Sequence, residues 1–127
     1  GVTHQKSDNT PIIKNAKLRD AVLYIESRFD ESVTLPDIAK AAGMNHTTLT
    51  ALMKEELGLT AIEYLMKYRI TVAKKQLEFT SVPIKDIANM TGFKTVQHFS
   101  RVFKAQNGTT PAEFRKNAVQ KRKDDFR

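Results

Sequence analysis

A chain of 127 residues, 40% apolar and 28% charged, can bury a core as one domain or two very small ones and has the composition of a soluble globular protein. Its net charge of +7 favours polyanionic partners, either nucleic acid or an anionic membrane surface, while the lack of cysteine excludes disulfides, thiolate nucleophiles, iron–sulfur clusters and cysteine-based zinc sites. No apolar run approaches the ~20 residues that span a bilayer, and the leading GVTHQKSDNT has no signal-peptide core, so a cytoplasmic protein without a membrane partner is expected.

Residues 1–14 read as a flexible linker or a remnant of trimming, because the sequence starts on Gly rather than Met and continues polar. Helical spacing of Leu18, Ala21, Val22, Ile25 and Phe29 predicts an amphipathic first helix over 16–29. Thr34-Leu35-Pro36-Asp37 is a helix-start signature, and the short helix it opens runs to Ala42, with Gly43 as its stop. Asn45 caps a third helix over 46–57, ended by Gly58. A short helix, a glycine turn and a second helix form a helix-turn-helix outline.

Thr60 caps a fourth helix that continues unbroken to about Thr80, with Ile62, Leu65, Val72, Ala73 and Leu77 on its buried stripe. About twenty residues make a rod of ~30 Å. A fifth helix starts near Ile84, with Asp86 in its first turn, and ends at Gly92. Thr95 caps a sixth, over about 96–106, and Gly108 closes it. On that helix Phe99, Val102 and Phe103 form the face to be buried, while Gln97, Arg101 and Lys104 line the opposite one. An amide, a guanidinium and an ammonium in a row suit base edges and phosphates of a major groove. Thr110-Pro111 starts a last helix through Phe114, and the end of the chain, NAVQKRKDDFR, is expected to fray.

Residues 33–64 and 82–114 are two copies of one unit. Val33, Asp37, Ile38, Ala39 and Gly43 recur 49 positions later as Val82, Asp86, Ile87, Ala88 and Gly92. After one inserted residue, Asn45, Leu49, Lys54, Gly58, Thr60 and Glu63 match Thr95, Phe99, Lys104, Gly108, Thr110 and Glu113. Chance periodicity reproduces apolar positions but not ordered caps and glycines. The chain is therefore expected to be all-α, about seven helices, with two helix-turn-helix motifs joined by a long linker helix. Its parts are a first subdomain with the linker helix over 15–80, a second over 81–118, and a basic tail over 119–127. A ~30 Å strut holds two such units close to one duplex turn, about 34 Å, apart, which suits successive major grooves of an asymmetric site.

On these residues the sequence resembles the AraC/XylS family of bacterial transcription regulators over about residues 15–118. DIANMTGFKTVQHFSRVFKAQNGTTPAEFR is similar to that family's signature nearly end to end, and YLMKYRITVAKKQL to its linker helix. The resemblance implies sequence-specific binding of double-stranded DNA, transcription activation beside RNA polymerase, and an N-terminal sensing or dimerisation domain elsewhere in the protein. Carried over by position, it implies base reading by Val96, Gln97 and Arg101 in the second motif. The equivalents in the first are His46, Thr47 and Ala51, with Thr50 nearby. Ala51 departs from the pattern, which often has Arg there, and an alanine has no donor for guanine.

Charge points the same way: 33–64 carries a net −2 and 82–114 a net +2. The second motif is therefore expected to supply most base specificity, and the first to position the domain through helix N-termini, threonine hydroxyls and Lys54. Lys104, Thr95, His98 and Thr110 are the other phosphate-contact candidates, His98 being equally well placed as plain surface. Arg69, among apolar neighbours, is expected in an ion pair with Asp37 or Asp86. Lys67, Lys74 and Lys75 read as solvated, with phosphate contact as the alternative, and Lys121, Arg122 and Lys123 as a source of non-specific attraction. His4, His46 and His98 are too scattered for a metal site, and no cofactor is expected. No phosphate-cradling loop, nucleophile elbow or carboxylate–histidine cluster supports an enzyme. The rival readings are a helical protein-interaction module and a non-specific DNA binder.

Overall fold

Helices form wherever a capping side chain meets apolar residues at helical spacing. The computed structural model describes residues 12–126, so most of the expected lead-in, together with His4, lies outside the described residues. Seven helices follow in order: α1 (Ala16–Arg28), α2 (Leu35–Ala42), α3 (His46–Leu57), α4 (Ala61–Phe79), α5 (Ile84–Met90), α6 (Val96–Asn107) and α7 (Pro111–Asp125). No strand occurs among the described residues.

Asn15, Thr34, Asn45, Thr60, Thr95 and Thr110 each accept a backbone N–H from the first turn of the helix they precede. At Thr34, Thr60 and Thr110 the acid three residues on accepts the cap's own N–H, completing a capping box. α3 and α6 end alike on Gly58 and Gly108, whose N–H groups donate to the Lys54 and Lys104 carbonyls. The two copies read in the sequence thus recur as two copies in backbone geometry.

Burial divides the chain into two cores. Leu18, Val22, Ile25, Ile38, Leu49 and Met53 fill the first, and Ile87, Phe93, Phe99 and Phe103 the second. α4 belongs to both, contributing Ala61, Tyr64 and Leu65 to one and Ile70, Ala73 and Leu77 to the other. The linker helix, grouped by sequence with residues 15–80, is a shared wall rather than a spacer between finished units.

The structure differs from the sequence expectations in three places. Ile62 is exposed, because it sits about 100° round the helix from Ala61 and faces away from the first core. The basic end of the chain is helical through Asp125 instead of frayed. Pro111, Phe114, Ala118 and Val119 are at least partly buried at helical spacing, and the Arg122 guanidinium donates to the carbonyl of Glu78 on α4. Arg69, 5% exposed, pairs with neither Asp37 nor Asp86. Its Nε and Nη2 donate to the carbonyls of Phe29 (2.7 Å) and Glu31 (2.8 Å), which close α1. Burial lowers its pKa, while Asp30 favours its charged form.

Candidate nucleic-acid interface

α3 and α6 are each held from below by fully buried side chains one turn apart: Leu49 and Met53 under α3, Phe99 and Phe103 under α6. With the inner face fixed, helical periodicity turns the residues between them outward. On α6 Gln97, Arg101 and Lys104 are exposed, with Val96 half-buried. On α3 His46, Thr47, Ala51 and Lys54 are exposed, with Thr50 half-buried. The structure brings the expected residues into two matched rows: Thr47, Ala51 and Lys54 on one motif, and Gln97, Arg101 and Lys104 on the other.

The rows differ in their chemistry. Lys54 Nζ lies 3.9 Å from Glu63 Oε1, so part of the positive charge of the first row is offset locally. Neither Arg101 nor Lys104 is in an ion pair among the described residues. Glu113, the counterpart of Glu63, has its pKa lowered chiefly by the Thr110 backbone N–H, with a smaller attraction from Lys104. The second row therefore presents two cations beside an amide, and the first presents methyls, hydroxyls and one lysine paired with Glu63.

Three candidates occupy less direct positions. The Thr95 hydroxyl accepts the His98 N–H, and the Thr110 hydroxyl is engaged with both the N–H and the carboxylate of Glu113. These hydroxyls serve the helix starts. His98 is half-buried, its ring edge-on to Phe93 at 5.4 Å, and lines a cleft of ≈ 250 Å³ with Thr34, Arg69 and Lys94. Lys74 lies over the Phe114 ring at 5.6 Å, which ties it to the second core.

Sequence reasoning missed Arg115. From α7 its guanidinium donates to the carbonyls of Leu77 (3.1 Å), Gln76 (3.3 Å) and Thr80 (3.0 Å) at the end of α4, and of Val82 (2.6 Å) beyond it. The available signal was its place four residues after Pro111, on the buried side of α7. Among the described residues no group of three or more His, Cys, Asp or Glu could hold a metal ion, and no helix is long and apolar enough to cross a membrane.

A family profile described as "Helix-turn-helix domain" matches residues 38–117. The transcriptional activator NphR of Rhodococcus is 38% identical over 68% of this chain and 26% of its own length. The TetD protein of transposon Tn10 from Escherichia coli is 34% identical over 80% of this chain and 74% of its own. In a solved structure, a Chromobacterium violaceum transcriptional regulator described as AraC-type DNA-binding superposes with a TM-score of 0.76 at 32% identity, covering 82% of this chain and 93% of that one. The chain spans only 13% and 26% of the first two curated relatives it matches. A seven-helix fold, a duplicated motif and these relatives agree: the chain belongs to the AraC/XylS family of bacterial transcription regulators and carries that family's sequence-specific DNA-binding domain.

Proposed function

We propose that α3 and α6 enter successive major grooves on one side of an asymmetric DNA site, and that α6 supplies most of the base specificity. The observation that carries this is the pair of matched outward rows, of which the second holds two cations and the first a single lysine paired with Glu63. In this reading Arg101 donates to a guanine edge, Gln97 to a neighbouring base and Val96 packs on a thymine methyl. On the other motif His46, Thr47, Thr50 and Ala51 touch the groove mainly by shape and methyl contact. Lys54, Lys104 and the helix N-termini at Thr95 and Thr110 hold phosphates, with His98 at the flank. The same reading has the intact protein in the cytoplasm, activating transcription beside RNA polymerase, with an N-terminal sensing or dimerisation domain. The activator name of the Rhodococcus relative and its greater length support that part.

Selection of bound sequences from a random DNA pool, followed by scrambling each half-site separately, tests the reading. Scrambling the α6 half-site should cost more affinity than scrambling the α3 half-site, and the reverse order refutes the division of labour. Affinity should fall steeply with added salt, as counterion release requires. A salt-insensitive chain that recovers no preferred sequence is a protein-interaction module, and a salt-sensitive one without preference is a non-specific binder.

A further inference from the structure

The second motif touches the first subdomain through more than the helix they share. Arg69 stands where α4 passes from one core to the other, between Leu65 and Tyr68 on the first side and Ile70 on the second. Its Nε and Nη2 hold the carbonyls that end α1, in the first core. The Cζ of the same guanidinium lies over the Phe93 ring, 5.5 Å from its centroid, in the second. Phe93 in turn packs on Phe99 at 5.3 Å and on His98 at 5.4 Å, both residues of α6.

Gly92 completes the joint. A Cβ there would lie 2.5 Å from the Phe29 carbonyl oxygen and 2.8 Å from Arg69 Nε. Gly43 holds the same place in the first copy at a similar positive φ, yet a Cβ on it would meet nothing within 4 Å. Both glycines serve a left-handed turn, but of the two Gly92 alone is pressed against the end of α1 and the linker helix. The difference between the copies is thus a contact of the second motif with the first subdomain, and an always charged group that donates hydrogen bonds and also lies over a ring is suited to build it.

We propose that Arg69 is a positioning residue that fixes the angle and distance of α6 relative to the first motif, and so sets which half-site spacing the chain accepts. The inference rests on the two-groove reading above. A short lever supports it: Arg69 reaches α6 through Phe93, which packs on Phe99 and His98, so losing its grip lets the second motif shift on α4 while each recognition surface stays intact.

The test uses DNA sites selected by the wild-type chain, with one base pair added or removed between half-sites, against Arg69→Met, Arg69→Lys and Phe93→Leu. Wild type should prefer its own spacing by about tenfold or more, as for a mismatched base pair. Arg69→Met should cut that preference to about threefold or less, with base preferences within each half-site unchanged and Arg69→Lys intermediate. A uniform loss of affinity at all spacings would make Arg69 a stabiliser of the fold and overturn the proposal. Should Arg69→Met fail to melt cooperatively, Phe93→Leu, which keeps an apolar plug but removes the ring, decides by the same criteria. A wild type indifferent to spacing, or to one half-site altogether, instead refutes the two-groove reading and this inference with it.

Discussion

Arg101 and Lys104 are three positions apart on one exposed row, yet in the proposed reading their chemistry gives them different tasks. A guanidinium can donate twice in a plane to one guanine, whereas an ammonium on a flexible stem is a point charge suited to phosphate. Arg101→Ala should therefore cost about 1 to 3 kcal/mol on the preferred site and relax the preference at one base pair, while Lys104→Ala weakens all sequences alike. Selection with both variants checks this, and an unchanged preference profile for Arg101→Ala removes it from the base readers. At this scale the sequence reveals outward residues well and buried partners poorly. The Gln97–Arg101–Lys104 row follows from Phe99 and Phe103 by spacing alone. Arg69 was recognisable as a buried cation, but its acceptors are backbone carbonyls, which every residue has and no letter marks. An acid is the partner the sequence suggests, yet the end of a helix suffices, and Arg115 at the end of α4 repeats the device.

Helix starts are legible almost to the residue, because a capping Thr or Asn, with an acid three positions on at Thr34, Thr60 and Thr110, is a local code that tertiary packing has no reason to override. α7 shows the limit. Its acid-and-base-rich second half looks like a tail, and its helicity comes from docking on α4, which no local pattern announces. The caps also predict an acid response. The backbone N–H groups of Thr60 and Thr110 hold Glu63 and Glu113 below their usual 4.5. A carboxyl whose folded pKa is depressed adds stability above its unfolded pKa, and that stability disappears as pH falls through the folded value. Wild type should therefore lose melting temperature as pH drops below 4.5, and the double variant Glu63→Gln, Glu113→Gln, which keeps the acceptors without the charge, should lose less. Thermal melts from neutral to strongly acid pH check it. Parallel profiles would mean that the boxes act as neutral hydrogen bonds only.

Across the whole molecule, a repeat that reads as two separate units in sequence becomes two cores built against one helix. That difference is physical. A helix-turn-helix pair has one apolar face and must bury it on a third element, and the chain provides α1 and the front of α4 for the first pair, the back of α4 and α7 for the second. The second core therefore draws on the latter half of α4 as well as on residues 81–118. A fragment of residues 81–126 lacks Ile70, Ala73 and Leu77, so Phe99 and Phe103 lose much of their cover, and Arg115 loses the carbonyls of Gln76, Leu77 and Thr80. So small a piece without its wall falls near the lower limit for an independent core, about 40 residues. Residues 61–126 keep all of these contacts. The longer fragment should melt cooperatively with helical circular dichroism, and the shorter one should show no cooperative transition. A cooperative melt of 81–126 would mean that the second motif stands without α4, and that the linker helix is a strut after all.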